Sequence, residues 1–146
     1  MMMTRSLLRS PVGALPLLLS LLVLGCAQFL GFPAYYDPTT YKNLTDVKPE
    51  VAALYDTFAN DPVDSGRVAA VRLTLARIYE YEKGKGEKNT ETTRQIEIIK
   101  DMFERHVEDR LKTGKWSATH LANNKDNIAE AFDAAIQTER LKNKNE

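Results

Sequence analysis

Residues 90–114 read TETTRQIEIIKDMFERHVEDRLKTG, and their apolar side chains recur at spacings of three and four positions. This period places five of them on one face of an α-helix: Ile96, Ile99, Phe103, Val107 and Leu111. Asn89 or Thr90 suits the N-cap position, and Gly114 marks the C-terminal end. Because the apolar face must be buried against another element, the stretch predicts a helix packed inside a helical domain.

Two other long segments have the same helical period. The first is predicted to begin at a cap, Asp64 or Ser65, and to end near Gly84. Its inner stripe is expected to contain Val68, Val71, Leu73, Leu75, Ile78 and Tyr79. In the second segment we expect Ser117 to be the cap, with Trp116 before it as one half of a hydrophobic staple. Its inward residues are expected to be Leu121, Ile128, Phe132, Ala135 and Ile136.

A fourth, shorter helix is predicted to begin at Pro49, which suits the first helical position, and to end before Pro62. Helices of about 24 residues are roughly 36 Å long, and short connections between them favour antiparallel neighbours. The sequence therefore predicts an all-α fold over residues 47–146. We expect a small up-and-down helical bundle of three long helices and one short helix.

Residues 26–46 show no helical period, so they are predicted to form an extended tether ahead of the bundle. This segment is rich in aromatic residues, which can dock on the domain, lie at lipid headgroups or contact a partner. We predict that three of them matter more for partner capture than for folding: Tyr35, Tyr36 and Tyr41. The aromatic residues near helix ends are instead expected to serve the core or the staple: Tyr79, Tyr81 and Trp116.

The first ten residues, MMMTRSLLRS, carry Arg5 and Arg9 without an acidic residue, and residues 11–25 carry no charge. This is the pattern of a signal peptide. As a helix, residues 11–25 would span about 22 Å, which is short of the roughly 30 Å hydrocarbon core of a bilayer. Residues 1–25 are therefore predicted to be a signal peptide and not a permanent transmembrane segment.

Cys26 is the only cysteine, and it follows Val23, Leu24 and Gly25 at the end of the apolar run. These four residues resemble the lipobox of bacterial lipoproteins, although that family usually has Leu where Val23 stands and a smaller residue where Leu24 stands. The resemblance implies that acyl chains such as palmitate are attached to Cys26 and that the chain is cut before it. The mature protein would then be anchored by lipid in the bacterial cell envelope, on the periplasmic or outer-membrane face.

Two alternatives stay open for this cysteine. Ordinary secretory cleavage after Ala27 would discard it and give a soluble secreted protein. A retained thiol would otherwise be a buried apolar filler or a reactive nucleophile, but no His or cation near it in the sequence would activate it.

The charge of the chain argues against nucleic-acid binding. There are 20 basic and 20 acidic residues, and removal of the segment with Arg5 and Arg9 leaves a net charge of −2. No basic run with interleaved aromatic residues occurs, as a nucleic-acid interface would require. Because Cys26 is the only cysteine, no disulfide can form within the chain.

Few residues are suited to catalysis or metal binding. His106 and His120 are the only histidines, and neither has Glu three positions before it, as the di-iron bundle pattern requires. His106 and Asp109 lie one helical turn apart and would supply at most half of a metal site. A boundary histidine hydrogen-bonded to its neighbours is the commoner structure. We therefore expect no catalytic residue and no cofactor.

These patterns together predict a membrane-anchored envelope lipoprotein that is not an enzyme. We expect it to bind another envelope protein as an adaptor or structural component, because its charged helices offer faces for protein contact. The alternative is a carrier of a small ligand or metal in the bundle interior, with His106 and Asp109 as the residues to test.

Overall fold

A computed structural model describes residues 35–142, which form four α-helices and two short 3-10 helices without a strand. The α-helices are α1 (Pro38–Asp56), α2 (Ser65–Gly84), α3 (Thr90–Thr113) and α4 (Ala118–Leu141). The 3-10 helices, Thr57–Ala59 and Glu87–Asn89, follow α1 and precede α3. Each α-helix packs against the next, and α1 also packs against α4, which closes the ring. The all-α bundle predicted from the sequence is therefore confirmed.

Consecutive helices run antiparallel. At the start of α1, the hydroxyl of Thr40 donates to Glu82, near the C-terminal end of α2, at 2.5 Å. The backbone N–H of Asp37 donates to Glu139, near the C-terminal end of α4, at 2.6 Å. The N-terminal end of α1 thus lies beside the C-terminal ends of α2 and α4, as an up-and-down bundle requires. We call this the proximal end of the bundle, and the opposite end the distal end.

The first helix begins earlier than the sequence suggested. Asp37 is its N-cap, accepting a hydrogen bond from the N–H of Thr39 at 2.7 Å, and Pro38 begins the helix. Pro49 lies inside the helix, so the prediction of an extended tether was wrong over residues 38–46. With 19 residues, α1 nearly equals the 20 residues of α2.

Burial explains why α1 tolerates an internal proline. Its buried face continues upstream of Pro49 through Thr40, Leu44 and Val47, all at most 1 % exposed. Burial of an aliphatic side chain contributes about 1.5–3 kcal/mol. Two such side chains offset the roughly 3 kcal/mol cost of an internal proline.

The helices enclose one hydrophobic core, to which all four contribute. Two residues expected in the core are on the surface instead: Leu73 is 51 % exposed and Leu111 is 65 % exposed. Leu73 lies two positions from the buried Val71, which places it on the opposite face of α2. On α3 the buried stripe continues from Val107 to Arg110, three positions on, and so bypasses Leu111.

Most of the predicted caps are confirmed. Asp64 accepts a hydrogen bond from the N–H of Arg67 at 2.9 Å, and Ser117 accepts one from the N–H of His120 at 3.2 Å. Gly114 follows α3 with φ of +84°, in the region that favours glycine. Asn89 occupies the N-cap position of α3, but its side chain makes no capping bond. Within residues 35–142, no helix combines the length and apolar character that spanning a bilayer demands.

Candidate functional surfaces at the two ends of the bundle

The proximal end of the bundle contains a layer of buried polar residues, to which every helix contributes. These residues, which we call the polar layer, are at most 2 % exposed: Thr40, Glu82, Asn89, Thr92 and Glu139. A buried carboxylate is strongly destabilising unless it is paired and hydrogen-bonded. The partners of the two glutamates therefore decide whether this end is stable.

Glu82 is compensated by a lysine from the following turn. Nζ of Lys85 lies 3.0 and 3.1 Å from the two carboxylate oxygens. Thr40 donates to one of these oxygens at 2.5 Å, and Nδ2 of Asn89 donates to the other at 2.8 Å. Oδ1 of Asn89, the atom that would accept a capping hydrogen bond, instead accepts one from Nζ of Lys142, so this side chain does not cap its own helix.

Glu139 has a matching arrangement on α4. Nζ of Lys142 donates to one carboxylate oxygen at 2.7 Å and also to Oδ1 of Asn89 at 2.8 Å. The other oxygen accepts the backbone N–H of Asp37 at 2.6 Å. Asn89 therefore joins the two ion pairs into one network.

Asp37 holds the start of α1 against the end of α2. Its Oδ2 lies 2.7 Å from Nζ of Lys85 and accepts the hydroxyl of Tyr81 at 2.7 Å. Burial alone would raise the pKa of Asp37, but the hydrogen bonds from Lys85 and Tyr81 hold it well below its usual range. Burial lowers the pKa of Lys85, and its carboxylate partners outweigh that effect, so the pKa is raised. The hydrogen bond to Asp37 raises the pKa of Tyr81.

An open groove of about 780 Å³ lies beside this network, with Tyr35, Tyr36 and Tyr81 in its lining. Tyr35 is 56 % exposed and Tyr81 is 41 % exposed. Tyr36 and Tyr41 are half-buried and pack against each other with ring centroids 6.3 Å apart. Of the three tyrosines assigned to partner capture, Tyr35 alone is thus largely exposed. Tyr81 was expected in the core, and its exposure is a correction.

At the distal end, the structure does not join His106 and Asp109 into one site. Nδ1 of His106 shares a hydrogen bond with the hydroxyl of Tyr55 at 2.8 Å. Asp109 instead accepts Nε2 of His120 at 2.8 Å and the indole N–H of Trp116 at 2.9 Å. No group of three or more His, Cys, Asp or Glu residues between positions 35 and 142 is arranged to hold a metal ion.

The charge states of these two residues follow from their surroundings. Burial lowers the pKa of His106, and the positive charge of Arg105 lowers it further. The hydrogen bond from His120 lowers the pKa of Asp109, which keeps this carboxylate ionised. The uncharged imidazole and the anionic carboxylate are thus separate groups, each engaged by its own partners.

The distal loops are held together by Arg110, which the sequence did not single out. This guanidinium is buried, and its residue is 3 % exposed. Nε donates to the carbonyl of Phe58 at 2.8 Å, and Nη2 donates to the carbonyl of Asn60 at 2.7 Å. Nη2 also donates to Oδ1 of Asp61 at 2.6 Å. The spacing of three from Val107 was the only signal in the sequence that this arginine faces inward.

Trp116, in the loop between α3 and α4, makes further contacts with the loop after α1. We call the contacts of Arg110 and Trp116 with that loop the lock. Its backbone N–H donates to the carbonyl of Phe58 at 3.0 Å. Its indole ring packs edge-on against Phe58 and Tyr55, with centroid distances of 5.0 and 5.6 Å. The loop after α1 and the loop before α4 are therefore bound to each other, and Trp116 has the core role expected from the sequence.

Comparison with known proteins gives no relative: no family model matches the chain, and neither a curated protein nor a solved structure is significantly similar to it. Cys26, the predicted site of lipid attachment, lies outside the residues that the structure describes.

Proposed function

We propose that this chain is a lipid-anchored protein of the bacterial cell envelope that acts as an adaptor or structural component for another envelope protein, without catalysis. Residues 1–25 would direct export, and Cys26 would carry the acyl chains. The signal-peptide pattern and the lipobox-like residues before Cys26 support the anchor.

Chain length limits the distance between the proposed anchor and the proximal end of the bundle. Tyr35 lies nine positions after Cys26. Nine residues span at most about 32 Å when fully extended. The lipid would therefore hold the proximal end within about 32 Å of the membrane surface. In a bundle standing upright, the distal end would lie about 36 Å farther away.

The main support for the adaptor role is that the loops at the distal end are held in one conformation. Arg110 donates three hydrogen bonds to the loop after α1, and Trp116 ties this loop to the next. Loops held in one conformation lose little entropy when they bind, so they make good recognition surfaces. Asp61 and Leu111 are exposed beside this lock and supply a hydrogen-bond acceptor and an apolar contact for a protein partner.

The anchor is tested by the variant Cys26→Ser, expressed in bacteria at the level of the wild type. We expect the wild-type protein to sediment with membranes and to leave them only in detergent. The variant should appear in the soluble fraction of the envelope. A wild-type protein that is soluble after cell breakage would contradict the proposed anchor.

The partner-binding role is tested with a photo-crosslinking amino acid placed at Leu111 or, as a matched control, at Leu73. Both leucines are more than half exposed, but Leu73 lies on α2 away from the distal loops. In intact cells we expect a discrete crosslinked product from position 111 and none from position 73. Arg110→Lys, whose single nitrogen replaces the two nitrogens that donate here, should weaken the product. Identical products from both positions, or none from either, would contradict a specific distal surface.

A further inference from the structure

We propose that the proximal end of the bundle rests on the headgroup region of a lipid bilayer, with Tyr35, Tyr81 and Leu141 at the interface. This inference rests on the proposed lipid anchor and names the second contact that the anchored protein makes. The sequence left three roles open for its N-terminal tyrosines, and the structure favours contact with lipid for the exposed Tyr35.

Exposed apolar side chains are concentrated at this end. Six large hydrophobic side chains are exposed among the described residues, and Tyr35, Tyr81 and Leu141 are three of them. Tyr81 is bound to Asp37 at the start of α1, and Leu141 is the last residue of α4. The other three are dispersed over α2 and α3. Single exposed apolar side chains are common on protein surfaces, but half of those described here lie at one end of the bundle.

The chemistry of this end suits the boundary between headgroups and acyl chains. Tyrosine is enriched there because its ring is apolar and its hydroxyl is polar. Lysine can extend its ammonium group past an apolar surface into water, and Lys83 and Lys88 are both exposed here. Glu80 and Glu87 are also exposed, so the charges nearly balance. A zwitterionic surface is therefore sufficient, and anionic lipid is not required.

The contact surface is also held in place before binding. The hydroxyl of Tyr81 is fixed by Asp37, and Nζ of Lys85 lies 4.5 Å from the centroid of its ring. The polar layer binds the N-terminal turn of α1 to the ends of α2 and α4. Side chains ordered in advance lose less entropy on binding. The short connection to Cys26 then keeps this end within reach of the bilayer.

The test uses the full-length lipidated protein in vesicles of phosphatidylethanolamine and phosphatidylglycerol. Leu141→Cys and Leu111→Cys provide matched probe positions, because both leucines are exposed and lie at opposite ends. Acylation occupies Cys26, so each new cysteine is the single free thiol for a fluorescent NBD label. Lipids with a nitroxide just below the headgroup serve as quencher. We expect position 141 to lose most of its emission and position 111 to lose little.

A double variant, Tyr35→Ser with Tyr81→Ser, extends the test. We expect it to stay membrane-bound through its acyl chains while quenching at position 141 falls towards that at position 111. Equal quenching of 141 and 111 in membrane-bound wild type overturns this inference and leaves the anchor standing. Protection of position 141 that requires added envelope proteins overturns it in favour of a protein partner.

The outcome is distinguishable from failure of the proposed function. If the purified protein carries no acyl chains, the anchor is wrong, and the labelled protein is then added to preformed vesicles. Selective quenching of position 141 under those conditions still supports the lipid-contacting end, and its absence overturns it.

Discussion

The backbone N–H of Asp37 donates a hydrogen bond to Oε1 of Glu139 at 2.6 Å, across 102 positions of sequence. The first turn of α1 is thereby bound to the last turn of α4. Since Lys142 pairs with the other oxygen of Glu139, one buried carboxylate holds the start of α1 and the end of α4 together.

Removal of this carboxylate should destabilise the bundle severely. Glu139→Ala leaves Lys142 without its buried partner, and breaking such a pair costs about 3–5 kcal/mol. We expect a loss of that size in the free energy of unfolding, measured by urea denaturation followed by circular dichroism. Asp133→Ala is the control, because Asp133 pairs with Lys48 on the surface and should contribute at most about 1 kcal/mol. Equal losses in both variants would show that the buried network stabilises the bundle no more than a surface ion pair does.

Arg110 should matter more than an arginine in an exposed ion pair. We expect Arg110→Ala to cost about 3 kcal/mol, because three acceptors lose their donor and buried packing is lost with them. Trp116 is the only tryptophan, so its emission should shift to longer wavelength as the distal loops separate. Arg72→Ala removes a half-exposed pair with Glu104 and is expected to cost about 1 kcal/mol or less. Unchanged Trp116 emission in Arg110→Ala would contradict the claim that Arg110 holds the distal loops together.

The depressed pKa of Asp37 makes its contribution dependent on pH. Burial opposes ionisation, but the hydrogen bonds from Lys85 and Tyr81 prevail and hold the folded pKa below the unfolded value of about 3.9. The ionised carboxylate therefore stabilises the fold fully above that pH, and the stabilisation is lost as pH falls towards the folded pKa. We expect Asp37→Asn to be less stable than wild type near neutral pH.

The difference between Asp37→Asn and wild type should shrink as pH falls below about 4. Urea midpoints measured for both proteins from neutral to strongly acidic pH provide the test. Asp133→Asn serves as an exposed control. A stability difference that does not change with pH would mean that Asp37 acts only through its neutral hydrogen bonds.

Transition metals should leave the distal end unaffected. Nδ1 of His106 and Oδ2 of Asp109 are engaged by different partners, so binding of a metal would have to break both arrangements. We expect Zn²⁺, Ni²⁺ and Cu²⁺ to leave the melting temperature unchanged, since only binding to the folded state raises it. A rise that depends on metal concentration and disappears in His106→Gln would favour the carrier alternative.

The parts of the fold that depend on local chemistry were predictable. The caps at Asp64 and Ser117 and the turn at Gly114 follow from residue type and position alone. The start of α1 could not be predicted from local chemistry, because a proline such as Pro49 is typical of the first helical position. What offsets its cost is burial of Leu44 and Val47 against other helices, which is a tertiary effect.

The surfaces at the ends were harder to predict. Only the spacing of three from Val107 distinguishes Arg110 from the other arginines of α3, because its acceptors lie on a loop about 50 positions earlier. Likewise Glu82 and Glu139 each have a lysine three positions later, as exposed helical glutamates often do, while their distant partners are Thr40 and the backbone N–H of Asp37. Partners distant in the sequence determine whether such groups are buried. Helical periodicity gives no information about those partners.

The most direct test of the account is the intact mass of the mature protein purified from the bacterial envelope. We expect a polypeptide that begins at Cys26 and carries the additional mass of acyl chains. An unmodified polypeptide that begins at Gln28 would contradict the lipid anchor and indicate ordinary secretion.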